Sequence, residues 1–441
     1  LLIHGRFTRQ SNIDSGVTSY ERHELEGLQP AVTTTHNSHE GNPVPPGTVL
    51  ERVHVLLVSA PRTGAHKPFG KFPTPPTPCN FTHITELSEK SQLYSQTLQT
   101  YLAMRKSKSG LHHFKMTSEA DFCGENDVPP TALLGMVKLG EVFAKKYSGK
   151  VVPALHTVPE ENLKIVRSVA GQEYFQSAAA FLHGLLSEKQ FMRVDFQKIE
   201  SHVCRGLGSP CWCDGICHID TFMQKAYRDE HDVFKDPDTV FFERKRLYDE
   251  LRVRDYQSAK QLVLSVTPWL CELKTIPCDG NQQCLSISNS HVNQLLTAIG
   301  KHNQYLSANS LFASYAAADT RTYFKNMFAW FLEKTLPVRF RVDVVDDFFL
   351  LKVLAALGIP VLDHIFPGSQ LVIEQYVKAK SKRSGKFWRI LYNGDVITES
   401  VPSCVDELWH DLCGSDAVRT HVESLVEGSM FGDCGYTKDE L

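Results

Sequence analysis

The chain has 441 residues, a formal net charge of −3 and a sequence pI near 6.7, a balance with no general pull toward nucleic acid or acidic membranes. Its hydrophobic content of 42% suffices for one large core or two unequal ones. No apolar stretch reaches the roughly 18 residues that a membrane-crossing helix needs.

Residues 1–49 are polar and lack apolar periodicity, so they read as a flexible leader or stem, with Leu1-Leu2-Ile3 as the stub of a removed signal peptide or an anchor. Residues 53–60 are an apolar, β-branched run that predicts a buried strand of the parallel-sheet kind, ended by Pro61. The next loop reads Arg62-Thr63-Gly64-Ala65-His66-Lys67-Pro68. Residues 71–80, with four prolines, predict a loop carrying Cys79, and Asn80-Phe81-Thr82 is an N-glycosylation sequon. Pro129-Pro130 open a helix over residues 131–147. A short strand over 163–166 precedes a second helix with Glu173 near its start. There Phe175, Ala178, Ala179, Leu182, Leu185 and Leu186 form a stripe expected to face the core.

Between residues 204 and 325 the pattern changes to cysteine-bearing loops and amphipathic helices, which predicts an inserted cap. Cys204, Cys211, Cys213 and Cys217 lack the paired C-x2-C knuckles of common zinc sites, so disulfides fit them better than a metal, as they do Cys271, Cys278 and Cys284. In residues 338–344 apolar and polar side chains alternate at period two, which predicts a strand. It leads through Asp346-Asp347 into an apolar helix from Phe348, stopped by Gly358 and Pro360. A hairpin over 370–377 and 387–391 is joined by the basic stretch from Lys378 to Lys386. That stretch is a solvated, edge-protecting loop or a contact for a sulfated or phosphorylated glycan. The final Lys438-Asp439-Glu440-Leu441 matches the receptor-read retention signal of the endoplasmic reticulum, which predicts a luminal address, with a chance match as the other reading.

Together these elements predict an α/β fold: a mostly parallel sheet with helices on both faces, built from residues 50–203 and 326–441, plus an inserted, disulfide-bearing helical cap over 204–325. No P-loop, zincin motif or Gly-x-Ser-x-Gly elbow is present, and no cofactor is implied.

The loop after the first strand, the start of the Glu173 helix and the Asp346-Asp347 step resemble the histidine acid phosphatases, most closely their 2-phosphoxylose phosphatase branch. The signature of that family is Arg-His-Gly-x-Arg-x-Pro, a further Arg at a later helix and a His-Asp pair. Arg62, Gly64 and Pro68 stand in register with it, whereas Thr63 takes the place of the nucleophilic His and His66 that of the second Arg. Glu173 replaces the third Arg. Asp347 keeps the proton-donor position, and Asp346 replaces its His partner. The segments around Cys211-Trp212-Cys213, Pro277 to Cys284 and Arg389 to Asp395 resemble the same branch. The resemblance implies a Golgi address, from which the C-terminal signal departs toward the endoplasmic reticulum lumen.

The chemistry explains why those residue types matter. A covalent phosphoryl intermediate needs a nucleophile that is unprotonated near working pH, which imidazole supplies and a Thr hydroxyl without a base does not. The Arg cluster stabilises the charge that spreads over the phosphoryl oxygens, so an Arg-to-Glu exchange reverses a term on the order of 4 kcal/mol at an effective dielectric of about 20. The expectation is a catalytically dead pseudophosphatase that binds a luminal protein or glycan. One alternative is a residual phosphomonoesterase with Asp347 as acid and Thr63 or water as nucleophile. Another is a divalent-cation site on Glu173, Asp346 and Asp347. Plain structural roles stay open beside these: Asp346 and Asp347 as helix caps, Glu173 as partner of a helix dipole, and Arg62 as the cation of a salt-bridged plug on one of the three acids.

Overall fold

The computed structural model describes residues 44–62, 79, 94, 123–124, 127–147, 166–168, 171–192, 194, 196–198, 259–260, 262–263, 289–333, 339–378 and 385–427. The strands are β1 (Thr48–Val58), β2 (Val166–Ser168), β3 (Phe196–Lys198), β4 (Phe340–Val345), β5 (Gln370–Lys378), β6 (Lys386–Tyr392), β7 (Asp395–Val396) and β8 (Cys413–Gly414). The helices are α1 (Pro130–Tyr147), α2 (Gln172–Leu185), α3 (Glu188–Phe191), α4 (Asn289–Ala308), α5 (Ser310–Asp319), α6 (Arg321–Leu332), α7 (Asp347–Ala356) and α8 (Ser415–Glu427).

The eight strands among the described residues join one sheet in the order β3-β2-β4-β1-β5-β6-β7, with β8 on β6. The β3-β2, β2-β4 and β4-β1 pairings are parallel, whereas β1-β5, β5-β6, β6-β7 and β6-β8 are antiparallel. The expectation of a mostly parallel sheet is therefore corrected. β5 of the predicted hairpin pairs antiparallel with β1 through a nine-residue register, and the hairpin connection then adds β6 antiparallel to β5.

Helices cover both faces, as expected. On one, Tyr147 of α1 meets Phe340 of β4 edge-on at 5.8 Å. On the other, His54 of β1 lies against Tyr323, Trp330 and Phe331 of α6 at 5.9–6.3 Å. The period-two alternation of β4 does not mark a solvated face. Arg341 and Asp343 are 7% and 1% exposed, buried under α6 with His54. Asp343 Oδ2 accepts from Arg341 at 2.6 Å and lies 2.9 Å from His54 Nε2. The last carbonyls of α6 are met by the sheet: Arg52 donates to Trp330 and Glu333, and Lys386 and Gln375 donate to Phe331. Cations at a helix C-terminus satisfy orphan carbonyls and offset the dipole together.

The stripe predicted on α2 is buried along its whole length. It meets α1 at backbone distance, because a Cβ on Gly140 would overlap the Phe181 carbonyl oxygen and one on Gly184 that of Val137. Gly184→Ala is expected to push α1 and α2 apart and cost at least about 1–3 kcal/mol, measured by urea unfolding. A variant as stable as wild type would mean that the helices separate without loss. Cys79 pairs with Cys123 and Cys404 with Cys413. The cysteines between residues 204 and 284, the sequon and the C-terminal tetrapeptide lie outside the described residues.

Candidate functional site

The parallel strands β1, β4 and β2 end side by side, and hydrogen bonds fix the path of the chain as it leaves β1. Ser59 N–H donates to the Val345 carbonyl at 2.9 Å, and Ala60 N–H donates to Ser177 Oγ of α2 at 2.9 Å. Ser177 in turn donates to the Glu173 carbonyl at 2.6 Å. The start of the Arg62 loop is thus tied both to β4, just before Asp346, and to the first turns of α2. Gln176 extends the tie: its Oε1 accepts from Val128 N–H at 2.7 Å, and its Nε2 donates to Asp127 at 3.3 Å. Asp127 accepts from Gly124 N–H at 2.9 Å, next to the Cys79–Cys123 disulfide.

Arg62 closes on Glu173, with its NH1 2.6 Å from Oε1. Of the three acids open to Arg62 in the sequence, the fold selects the one on α2. Glu173 is 5% exposed, and Arg62 reaches it from the loop side. Asp346 caps α7: its backbone is extended and its Oδ1 accepts from Phe349 N–H at 2.6 Å. Asp347, in the first turn, is paired with Lys260, whose Nζ is 2.6 Å from Oδ2. Burial pushes the Asp347 pKa up, but the Lys260 ammonium wins and holds it below the usual carboxylate value. Thr63 and His66 lie outside the described residues.

Three further residues frame this end of α7, and none stood out in the sequence. Lys260 belongs to a segment anchored by Ala259, Leu262 and Val263, which are 0–5% exposed. His302 of α4 is buried, and burial with the nearby Lys260 charge draws its pKa down to about 3. His364 is 6% exposed. Burial draws its pKa down to about 4, with Asp347 pulling it up and Lys260 pushing it further down. No motif links these positions; only the folding of α4 and the 359–366 segment against α7 brings them together. Among the described residues, no group of three or more His, Cys, Asp or Glu is placed to hold a metal ion. No described helix is long and apolar enough to cross a membrane.

No family model matches this sequence, and no curated protein does. Among solved structures, the phytase of D. castellii aligns over 96% of this chain and 90% of its own, with a TM-score of 0.50 and 13% identity. The fold is that of this phytase. Apo phytase of Hafnia alvei aligns over 88% of this chain and 99% of its own, at a TM-score of 0.49 and 10% identity. The apo multiple inositol polyphosphate phosphatase of Bifidobacterium longum covers 84% and 92%, at 0.49 and 8%. At the ends of β1 and β4 in this fold, Glu173 is closed on Arg62 and Asp347 on Lys260.

Proposed function

We propose that the chain is a histidine-acid-phosphatase-like protein of the secretory pathway, related to 2-phosphoxylose phosphatase, that binds a luminal protein or glycan without hydrolysing phosphate. The observation that carries this reading is the Arg62–Glu173 ion pair at 2.6 Å. An Arg already matched to a buried carboxylate cannot also stabilise phosphoryl charge without stranding that carboxylate. Thr63 in the nucleophile position and the Lys260–Asp347 pair support it, since an aspartate held ionised is a poor proton donor to a leaving group. The closely spaced cysteines favour the oxidising lumen of the secretory pathway, the endoplasmic reticulum or the Golgi.

A second reading, a residual phosphomonoesterase acting on 2-phosphoxylose or another ester, rests on the survival of Asp347 in the first turn of α7. Purified full-length protein assayed against p-nitrophenyl phosphate and a phosphoxylosyl glycan separates the two. The expected result is no turnover above the uncatalysed rate for either substrate. Turnover that disappears in Asp347→Ala would establish the second reading and overturn the first.

A further inference from the structure

The two disulfides among the described residues differ in access. Cys404 and Cys413 are both 0% exposed, whereas in Cys79–Cys123 only Cys79 is sealed, at 3%. Cys123 is half-buried and is followed by the exposed Gly124, so approach from solvent is open on the Cys123 side. From Gly124 a run of hydrogen bonds leads to the exit of β1. Gly124 N–H donates to Asp127 Oδ2 at 2.9 Å and Asp127 N–H returns to the Gly124 carbonyl at 3.2 Å, closing a turn around a carboxylate that is 7% exposed. Asp127 Oδ1 accepts from Gln176 Nε2 at 3.3 Å, and Gln176, fully buried in α2, accepts from Val128 N–H through Oε1 at 2.7 Å. The next residue of α2, Ser177, holds the Ala60 N–H at 2.9 Å and the Glu173 carbonyl at 2.6 Å, and Glu173 holds Arg62. The disulfide anchors the outer end of this run. If Cys123 moves away from Cys79, the Gly124–Asp127 turn loses its tether, and a buried carboxylate whose donors loosen moves toward water and leaves Gln176 without its partner.

We propose that Cys79–Cys123 is a thiol-exchangeable disulfide that sets the position of the Arg62 loop: closed, it keeps Arg62 on Glu173; open, it releases the loop from α2. The co-reactant is a dithiol. Its thiolate attacks the Cys123 sulfur, the Cys79–Cys123 bond breaks, and Cys79 leaves as a thiolate that takes up a proton. The second thiol of the reagent then displaces Cys123, so the protein disulfide is reduced to two thiols and the dithiol is oxidised to a disulfide. This control acts whether or not the site hydrolyses phosphate, so it stands or falls separately from the proposed function.

Full-length protein is incubated with graded dithiothreitol, its free thiols are alkylated and assigned by mass spectrometry, and trypsin cleavage of the Arg62–Thr63 bond is timed in parallel. Trypsin must take the Arg62 side chain into its own pocket, so cleavage reports departure from Glu173. Cys79 and Cys123 are expected to become alkylated at lower dithiothreitol than Cys404 and Cys413. Over that range, cleavage at Arg62 should rise at least about fivefold, while cleavage at the exposed Lys325 of α6 changes less than about twofold. Cys79→Ser/Cys123→Ser should be cut at Arg62 at the fast rate without reductant and gain nothing further from it, which separates this disulfide from the remaining cysteines. Opening of Cys404–Cys413 first, unchanged cleavage at Arg62 once Cys79 and Cys123 are alkylated, equal acceleration at Arg62 and Lys325, or a double variant cut as slowly as oxidised wild type would each overturn the proposal. If the double variant does not fold, hydrogen exchange of the Ala60 amide in wild type decides the matter. Its protection should drop at least about fivefold when this disulfide opens, and unchanged protection would also overturn the proposal.

Discussion

Asp343→Ala is expected to destabilise the protein by about 3–5 kcal/mol. The carboxylate lies between two buried groups: Arg341, which donates through Nε at 3.2 Å and NH2 at 2.6 Å, and His54, at 2.9 Å. Removing it strands a guanidinium beneath α6, where only 7% of the residue reaches solvent. Burial pushes the Asp343 pKa up, but the Arg341 charge and the contact with His54 outweigh it and hold the group well below the usual carboxylate range. A depressed carboxylate contributes fully above its unfolded pKa of about 4 and is lost only as pH falls through the lower folded value. The loss in the variant should therefore be near constant from about pH 5 to 8. Urea unfolding at two pH values in that range checks it, and a cost under about 1 kcal/mol would contradict it. Asp343→Leu combined with Arg341→Met should recover most of the stability, because an apolar pair strands no charge.

Acidification from pH 7 to about 4 should cost on the order of 2–3 kcal/mol from each of His302 and His364. Their folded pKa values of about 3 and about 4 lie below the ordinary histidine value. Between those values and about 6.5 the unfolded chain binds protons that the folded chain refuses, so stability rises with pH across that window. Unfolding midpoints at pH 7, 5.5 and 4 should fall steeply for wild type and less steeply for His302→Asn/His364→Gln. Equal slopes in the two proteins would show that these imidazoles are not the groups that resist protonation.

Much of the frame was legible because it is local. The apolar run of β1, the Pro-opened α1, the stripe of α2, the Asp346 cap of α7 and the β5-β6 hairpin all derive from periodicity and terminal residues within one element. What the sequence hid depends on pairing at a distance. The hairpin could be read, but not that its edge joins β1 and tips the sheet toward antiparallel pairing. The alternation in β4 signalled a strand without revealing that its polar residues form a buried cluster with His54, since a charged residue looks the same facing water or facing a partner. At the site, the sequence narrowed the partner of Arg62 to three acids, and the fold chose Glu173. Lys260 carried no signal at all. A lysine in an apolar helical stretch normally marks a solvated face, and its contact with Asp347 joins residues far apart in the sequence.

Under the proposed function, the cations of Arg62 and Lys260 are answered by Glu173 and Asp347 and do not serve a phosphate. Isothermal titration of the full-length protein with inorganic phosphate near pH 7 tests it most directly. No saturable heat at millimolar phosphate is predicted. Saturable binding that is lost in Arg62→Ala would contradict it, because Arg62 would then be free to hold a phosphate despite Glu173.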